Sequence, residues 1–262
     1  MVEERHRTAA SDTDTPPEPA WFGDRPVDAA EKPGLVRGVF DSVAGRYDLM
    51  NDLMSGGVHR LWKRAMLDRL APKPGEVFLD VAGGTGDIAF RILDRTQRAA
   101  KVIVCDLTPA MLEVGRDRAI DRGILDGIEW VTGDAENLPF ESATMDGCTM
   151  AFGLRNVTHP DRALAEMHRV LKPGGRFLCL EFSHVVLPGL RDLYDVFSRS
   201  VLPTLGAVVA RDRASYEYLV ESIRRFPTQE ALATMMRDAG FDLVSFRNLS
   251  GGIAALHVGW RT

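Results

Sequence analysis

The sequence predicts an α/β fold built around a doubly wound, mostly parallel β-sheet of seven strands. Between residues 77 and 182, short apolar runs alternate with stretches in which apolar residues recur at helical spacing. Such alternation is typical of parallel strands joined by right-handed helical crossovers. Near the C-terminus, two further apolar runs are separated only by Leu249–Gly252. This connection is too short for a crossover, so it predicts a hairpin and one antiparallel strand near the edge of the sheet.

The size and composition allow one large α/β domain or two small ones in the 262 residues. The formal net charge of −5 does not suggest a nucleic-acid partner. Three cysteines lie far apart in apolar, strand-like runs without metal-ligand spacing, so we predict buried free thiols and no metal site. No apolar run reaches the roughly 20 residues that span a bilayer.

The N-terminal 70 residues divide into two parts. Residues 1–34 combine charges with five prolines and few large apolar side chains, which predicts a disordered tail. Residues 35–70 predict helices, because Val36 and Phe40, and later Leu61 and Ala65, fall at helical spacing around a break at Gly56-Gly57. We therefore assign residues 35–262 to one domain that begins with N-terminal helices.

The strands and helices follow in order from residue 77. Predicted strands, each an apolar or β-branched run, are Val77–Val81, Lys101–Asp106, Ile128–Val131, Asp146–Phe152, Phe177–Glu181, Asp242–Asn248 and Ile253–Trp260. Predicted helices are Asp87–Asp94, a helix capped by Thr108 that runs to Arg122, Asp161–Leu171, and a crossover helix that begins near Thr228. Residues 189–239 contain no convincing strand, which predicts a helical insert before that crossover helix.

A glycine turn follows the first predicted strand. Gly83, Gly84 and Gly86 allow a sharp turn and a close approach of a ligand to the main chain. A tight turn without a ligand is one interpretation. A dinucleotide site is another, because Gly84–Ala89 fits the relaxed pattern GxGxxA.

Acidic residues around the turn favour a different nucleoside ligand, S-adenosylmethionine. Asp87 would repel a pyrophosphate at the helix N-terminus, whereas Asp80 and Asp87 suit a cationic ligand without phosphates. Asp106 ends the second strand, where an acid can accept hydrogen bonds from both ribose hydroxyls. Asp134 follows the third strand and could accept a bond from the adenine amino group, with the Ala135 N–H as a donor.

These motifs resemble the class I S-adenosylmethionine-dependent methyltransferases, which have a Rossmann-like fold. Two further stretches resemble signatures of the ubiquinone/menaquinone biosynthesis C-methyltransferase family (UbiE type). The first comprises Tyr47, Asp48, Met50, Asn51, Ser55, His59 and Trp62, and the second runs from Arg169 through Lys172-Pro173-Gly174-Gly175 to Glu181 and Ser183. Phe152–Val157 also has the sequence of that family, and the resemblance runs from about residue 35 to the C-terminus.

The resemblance implies methyl transfer from S-adenosylmethionine to a ring carbon of a polyprenylated quinol. The substrates it implies are 2-methoxy-6-polyprenyl-1,4-benzoquinol and demethylmenaquinol. Carried over to this sequence, the cofactor contacts fall on Thr85, Asp106, Asp134 and Ala135, and Gly83 of the glycine turn is a further predicted cofactor contact. The chain departs from some relatives at Ala151, where they have a serine that contacts the cofactor.

The candidate catalytic residues are Arg155 and Asn156. A quinol ring carbon becomes nucleophilic when an adjacent hydroxyl loses its proton, so the enzyme must stabilise phenolate character. Arg155 stays cationic and could supply that stabilisation, while Asn156 could orient the hydroxyl or a water molecule. Alternatively, both residues only cap the loop after the fourth strand. His59 and Tyr216 are weaker candidates.

The polyprenyl tail implies an apolar route to the site. Val201–Ala210 could form one wall, flanked by arginines that could meet anionic head groups, namely Arg191, Arg199, Arg211 and Arg213; a buried insert is the alternative. We expect a cytoplasmic protein with at most peripheral membrane contact. A homodimer or a quinone-biosynthesis complex stays open. So do a methyltransferase for another lipid or phenol and a non-catalytic adenosyl-binding protein.

Overall fold

A mixed β-sheet forms the centre of the protein. The computed structural model describes residues 19–44, 52, 55–189 and 213–262. In chain order the strands are β1 (Pro19–Phe22), β2 (Arg25–Asp28), β3 (Val77–Val81), β4 (Lys101–Asp106), β5 (Ile128–Thr132), β6 (Met145–Ala151), β7 (Leu171–Phe182), β8 (Asp242–Leu249) and β9 (Ala254–Trp260). Strands β3 to β9 form one seven-stranded sheet in the order β5-β4-β3-β6-β7-β9-β8.

The topology of this sheet confirms the predicted fold class. In that spatial order, the first five strands, β5, β4, β3, β6 and β7, are all parallel, and β9 is antiparallel to both β7 and β8. The chain moves outward from β3 to β5 and then returns to the other side of β3 at β6. The carboxyl ends of β3 and β6 therefore flank the topological switch point, where doubly wound sheets bind their ligands.

Helices cover both faces of the sheet. They are α1 (Lys32–Val43), α2 (His59–Leu70), α3 (Asp87–Arg95), α4 (Pro109–Asp121), α5 (Pro160–Val170), α6 (Arg213–Arg225) and α7 (Gln229–Asp238). Alternate residues of β3 enter different cores: Phe78 packs in the core with α2 and α3, and Leu79 in the core with α5 and α7. Among the described residues, no helix is both long and apolar enough to cross a membrane.

The core that contains Leu79, α5 and α7 also contains the three cysteines, and it confirms the prediction of buried free thiols. Cys105, Cys148 and Cys179 come from β4, β6 and β7 of the large sheet, and each is at most 1% exposed. Burial raises the pKa of all three thiols, that of Cys105 to about 12. These cysteines therefore pack as small apolar side chains rather than as reactive groups.

The N-terminal segment is more ordered than the sequence predicts. Residues 19–28 form the β1–β2 hairpin, and α1 already begins at Lys32, so residues 19–34 do not belong to a disordered tail. Contacts with α6 hold the hairpin: Phe22 stacks on Tyr218 at 4.4 Å, and the Arg225 guanidinium lies 3.5 Å from the centre of the Trp21 ring. Each pair of partners is about 200 residues apart in sequence, so local composition could not indicate them.

Other predictions concern residues that the structure does not describe. They include residues 1–18 of the tail, most of the Tyr47–Met54 signature, and the Val201–Ala210 wall with Arg191, Arg199 and Arg211. The side chain of Arg213 is likewise outside the described part. The predicted crossover helix is confirmed, because α7 follows Thr228 and the Thr228 hydroxyl accepts a hydrogen bond from the Ala231 N–H.

Candidate active site

The glycine turn after β3 packs closely against the strand that precedes it. Gly84 and Gly86 have positive φ angles of 53° and 80°, which glycine adopts without strain. At Gly83 the limit is space, because a Cβ atom would lie 2.7 Å from Asp80 Oδ2 and 2.8 Å from Val104 Cγ1. The main chain of the turn therefore lies against the Asp80 carboxyl group. A residue larger than glycine at position 83 would push the turn away from it.

A large cavity opens beside this turn at the carboxyl ends of the strands. It contains about 760 Å³ of empty space, including its open mouth. Four of the residues expected to contact a cofactor or substrate line it, namely Asp106, Asp134, Ala135 and Asn156. The loops after β3, β4, β5 and β6 thus meet around one space, as the strand alternation predicts.

Asp106 is held rigidly at the edge of this cavity. Its Oδ2 accepts a hydrogen bond of 2.9 Å from the Gly84 N–H, and its Oδ1 accepts one of 2.8 Å from the Thr108 N–H. Burial raises the pKa of Asp106, while these hydrogen bonds oppose the rise. Thr108 occupies the N-cap position of α4 but makes no capping bond with its side chain. Each carboxylate oxygen keeps a lone pair that could accept a ligand hydroxyl.

Charged side chains form hydrogen bonds to main-chain groups around the rim of the cavity. Glu136 accepts hydrogen bonds from the main-chain N–H groups of Thr158 and His159 at 2.8 and 2.9 Å. The Lys32 ammonium donates to the Val157 carbonyl at 2.8 Å. Burial lowers the pKa of Lys32, and the Glu136 charge opposes this effect. These contacts hold α1 over the cavity, where three of its apolar residues, Pro33, Val36 and Phe40, form one wall.

A smaller cavity of about 300 Å³ lies on the other side of Ala82, which lines both spaces. Gly83 and Thr85, the two remaining predicted cofactor residues, line this cavity with Lys63, Asp80 and Asp87. The Thr85 hydroxyl accepts a hydrogen bond of 3.0 Å from Arg118.

Asp80 and Asp87 have opposite protonation behaviour in this smaller cavity. Asp80 Oδ1 accepts a hydrogen bond of 2.7 Å from the Thr149 hydroxyl, whereas buried Oδ2 has no partner among the described residues. Burial raises the pKa of Asp80 to about 7. Burial also disfavours the charged Asp87 carboxylate, but Lys63 at 2.8 Å and Arg91 at 3.0 Å outweigh it and lower the pKa of Asp87 to about 2.

The two predicted catalytic residues occupy different positions. Asn156 lines the large cavity, and its Oδ1 accepts a hydrogen bond of 2.9 Å from the Tyr218 hydroxyl. Arg155 does not line it: its guanidinium donates to Glu181 Oε1 at 2.7 Å and to the Phe152 carbonyl at 2.6 Å. Both side chains of this ion pair are about 1% exposed. This placement favours the alternative in which Arg155 only caps the loop after the fourth predicted strand. Its catalytic role stays a prediction.

The weaker candidates lie away from the large cavity. His59 Nδ1 is 2.9 Å from the Ser55 hydroxyl oxygen, and burial lowers the pKa of His59 to about 4. The Trp62 indole N–H donates to the Ser250 hydroxyl at 2.9 Å. Tyr216 is 1% exposed within the core. Of these residues, Trp62 joins α2 to the turn between β8 and β9.

Comparison with known proteins decides the family. The ubiE/COQ5 methyltransferase family matches residues 27–261. The chain belongs to this family. It is 59% identical to the ubiquinone/menaquinone biosynthesis C-methyltransferase UbiE of Paracoccus denitrificans, over 94% of this chain and 99% of the relative. It is 58% identical to the UbiE protein of Cereibacter sphaeroides, over 92% of this chain and 96% of that one.

Solved structures agree at the level of the fold. The [4+2]-cyclase SpnF covers 86% of this chain with a TM-score of 0.64 and 18% identity; 94% of SpnF is covered. A SAM-dependent methyltransferase of Thermotoga maritima covers 87% of this chain with a TM-score of 0.60 and 21% identity, and its whole length is covered. The family and the fold suggested by the sequence motifs are both confirmed.

Sequence reasoning missed Lys63, the cation of the smaller cavity. The buried residues of α2 include His59, Trp62, Met66 and Leu70, and Lys63 lies among them at 4% exposure. A lysine on the apolar face of a helix was the available signal, because burying an ammonium group is unfavourable unless a partner compensates for it.

Proposed function

We propose that this protein transfers a methyl group from S-adenosylmethionine to a ring carbon of a polyprenylated quinol. The substrate is 2-methoxy-6-polyprenyl-1,4-benzoquinol, demethylmenaquinol or both. The observation that carries the proposal is the 59% identity, over nearly the full length of both chains, to a relative named as a ubiquinone/menaquinone biosynthesis C-methyltransferase.

The two cavities fit S-adenosylmethionine, which supplies an electrophilic methyl group on a cationic sulfonium. Asp106 and Asp134 would hold the adenosine end in the large cavity. The unpartnered Asp80 Oδ2 lies in the smaller cavity, where it would accept the ammonium group of the amino-acid end. Carboxylates at Asp80, Asp87 and Asp106 surround the turn and would repel a pyrophosphate, which disfavours the dinucleotide alternative.

Asn156 is the side chain best placed to handle the quinol hydroxyl. Because its Oδ1 accepts the Tyr218 hydroxyl hydrogen, its amide nitrogen is the group free to donate into the large cavity. The only bond of that nitrogen among the described residues is a long one of 3.5 Å to the Phe152 carbonyl. A donor at this position stabilises phenolate charge as the ring carbon becomes nucleophilic. Arg155 would act through the loop, by holding the Phe152 carbonyl.

A polyprenyl tail needs an apolar surface, so we propose peripheral contact with the membrane that holds the quinol. Val186 and Leu187 are each about half exposed, and they lie just before residue 189, where this described stretch ends. This supports contact near the predicted insert, whose Val201–Ala210 wall remains a prediction.

An assay with radiolabelled methyl donor tests the proposal. The purified protein receives S-[methyl-³H]adenosylmethionine and each demethyl quinol under reducing conditions. We expect label on the ring carbon of at least one quinol, and much less with Asp106→Asn, which weakens the adenosine site. Label on neither quinol from active, cofactor-binding protein would contradict the proposal.

A further inference from the structure

We propose that Lys63 binds the carboxylate of the amino-acid end of the methyl donor. The inference rests on the cofactor named above and assigns a residue that lies outside the glycine turn and the strand ends. It would give α2, a helix outside the alternating β–α core of the sheet, a direct contact with the cofactor.

The position of Lys63 is that of a ligand-binding cation. Its side chain is 5% exposed and lines the smaller cavity, with Nζ 2.8 Å from Asp87 Oδ2 and 6.0 Å from the centre of the Phe152 ring. An ammonium group has three N–H donors. Among the described residues only Asp87 accepts a hydrogen bond from Lys63, so donors remain for a group that enters the cavity.

The charges of this cavity match a zwitterionic amino acid. Asp80 Oδ2 is buried, has no hydrogen-bond partner in the described ranges, and is suited to an ammonium group. The described lining contains one cation, Lys63, and a carboxylate needs such a partner when it leaves water. Arg91 already bonds the other oxygen of Asp87 at 3.0 Å, so Asp87 stays paired when Lys63 turns toward a ligand.

A purely structural role for Lys63 makes a different prediction. If the side chain only stabilised Asp87 and the start of α3, its loss would weaken every ligand of the site to the same extent. A specific carboxylate contact would matter only for ligands that carry the carboxylate. Two ligands that differ in this group alone therefore separate the two roles.

The experiment is a thermodynamic cycle measured by calorimetry on the full chain. S-adenosylhomocysteine is compared with its decarboxylated analogue, which keeps the adenosine, the thioether and the ammonium group. We expect the wild-type protein to prefer S-adenosylhomocysteine by about 10- to 100-fold, and Lys63→Met to prefer it by less than about twofold. Lys63→Arg should retain part of the preference.

A surface-lysine variant and a second Lys63 variant serve as controls. Lys101→Met removes a lysine whose side chain is 56% exposed and pairs with Glu129 on the surface, so it should leave both affinities unchanged. Lys63→Gln replaces the methionine variant if that variant does not fold. The proposal is overturned if the wild type does not discriminate between the ligands, or if Lys63 variants weaken both equally. Failure of quinol methylation with this cycle intact would refute the proposed substrate, not Lys63.

Discussion

Asp80 illustrates how a residue with a proposed binding role can lower the stability of the fold. It belongs to β3 and is 1% exposed, and one of its carboxylate oxygens has no hydrogen-bond partner within the described part of the chain. In the folded protein its pKa is about 7, against about 4 in an unfolded chain. The unfolded state therefore loses this proton first as the pH rises, and the folded state becomes less stable between about pH 4 and 7.

Asp80→Asn should remove this pH dependence. Relative to the wild type, the variant should gain stability as the pH rises from 5 to 8, by up to about 1.4 kcal/mol per pH unit below the folded pKa. Its affinity for S-adenosylhomocysteine should fall, because the neutral amide cannot neutralise an ammonium group. Urea unfolding at pH 5 and pH 8 measures the first effect. An equal difference in unfolding free energy at both values would contradict the assignment.

At the scale of elements, the loop after β6 depends on a buried ion pair with β7. Arg155 joins Glu181 to the Phe152 carbonyl, and Phe152 has a φ angle of 61°, which is unfavourable for a side chain of this size. The same loop carries Asn156, which Tyr218 of α6 holds by a hydrogen bond. Three elements therefore fix one cavity-lining amide.

Arg155→Met should destabilise the protein by about 3–5 kcal/mol, because Glu181 would remain buried without a counter-charge. Adding Glu181→Leu should recover much of that loss. The exposed pair gives the comparison, since Lys101→Met should change stability by less than about 1 kcal/mol. Chemical unfolding of the four proteins measures these effects. Wild-type stability in Arg155→Met combined with lost turnover would instead support a direct catalytic role.

In the molecule as a whole, the N-terminal segment covers the large cavity from outside the sheet. The hairpin bonds to α6 through the Asp24 N–H, which donates to Glu221 at 3.0 Å, and Phe22 stacks on Tyr218. The following helix α1 covers the large cavity, anchored by Lys32 to the Val157 carbonyl. Distant parts of the chain thus build one wall of the large cavity.

Removing residues 1–28 should weaken S-adenosylhomocysteine binding by about 3- to 10-fold, since α1 would lose the connection to α6 that runs through the hairpin, and each lost contact contributes about 1 kcal/mol. Removing residues 1–18 is the matched control and should leave the affinity unchanged, because the hairpin stays. Calorimetry on both truncated proteins measures the difference. Equal affinities would show that the hairpin does not hold the cover in place.

The sheet and the family could be predicted from the amino-acid sequence alone, as could which strand ends meet at the large cavity. Strands and helices appear as local periodicities, and parallel strands place their carboxyl ends on one edge. For that reason Asp106, Asp134 and Ala135 could be assigned to one cavity without a structure.

The side chains that reach the two cavities from distant elements could be identified only from the packing of the folded chain. Lys63 of α2 lines the smaller cavity, and Arg155 forms a buried ion pair with Glu181. Phe22 stacks on Tyr218, which lies about 200 residues later in the sequence. No local pattern encodes these contacts, because each depends on how separate elements pack. The ordered hairpin at residues 19–28 was missed for the same physical reason: its stability comes from α6 and not from its own composition.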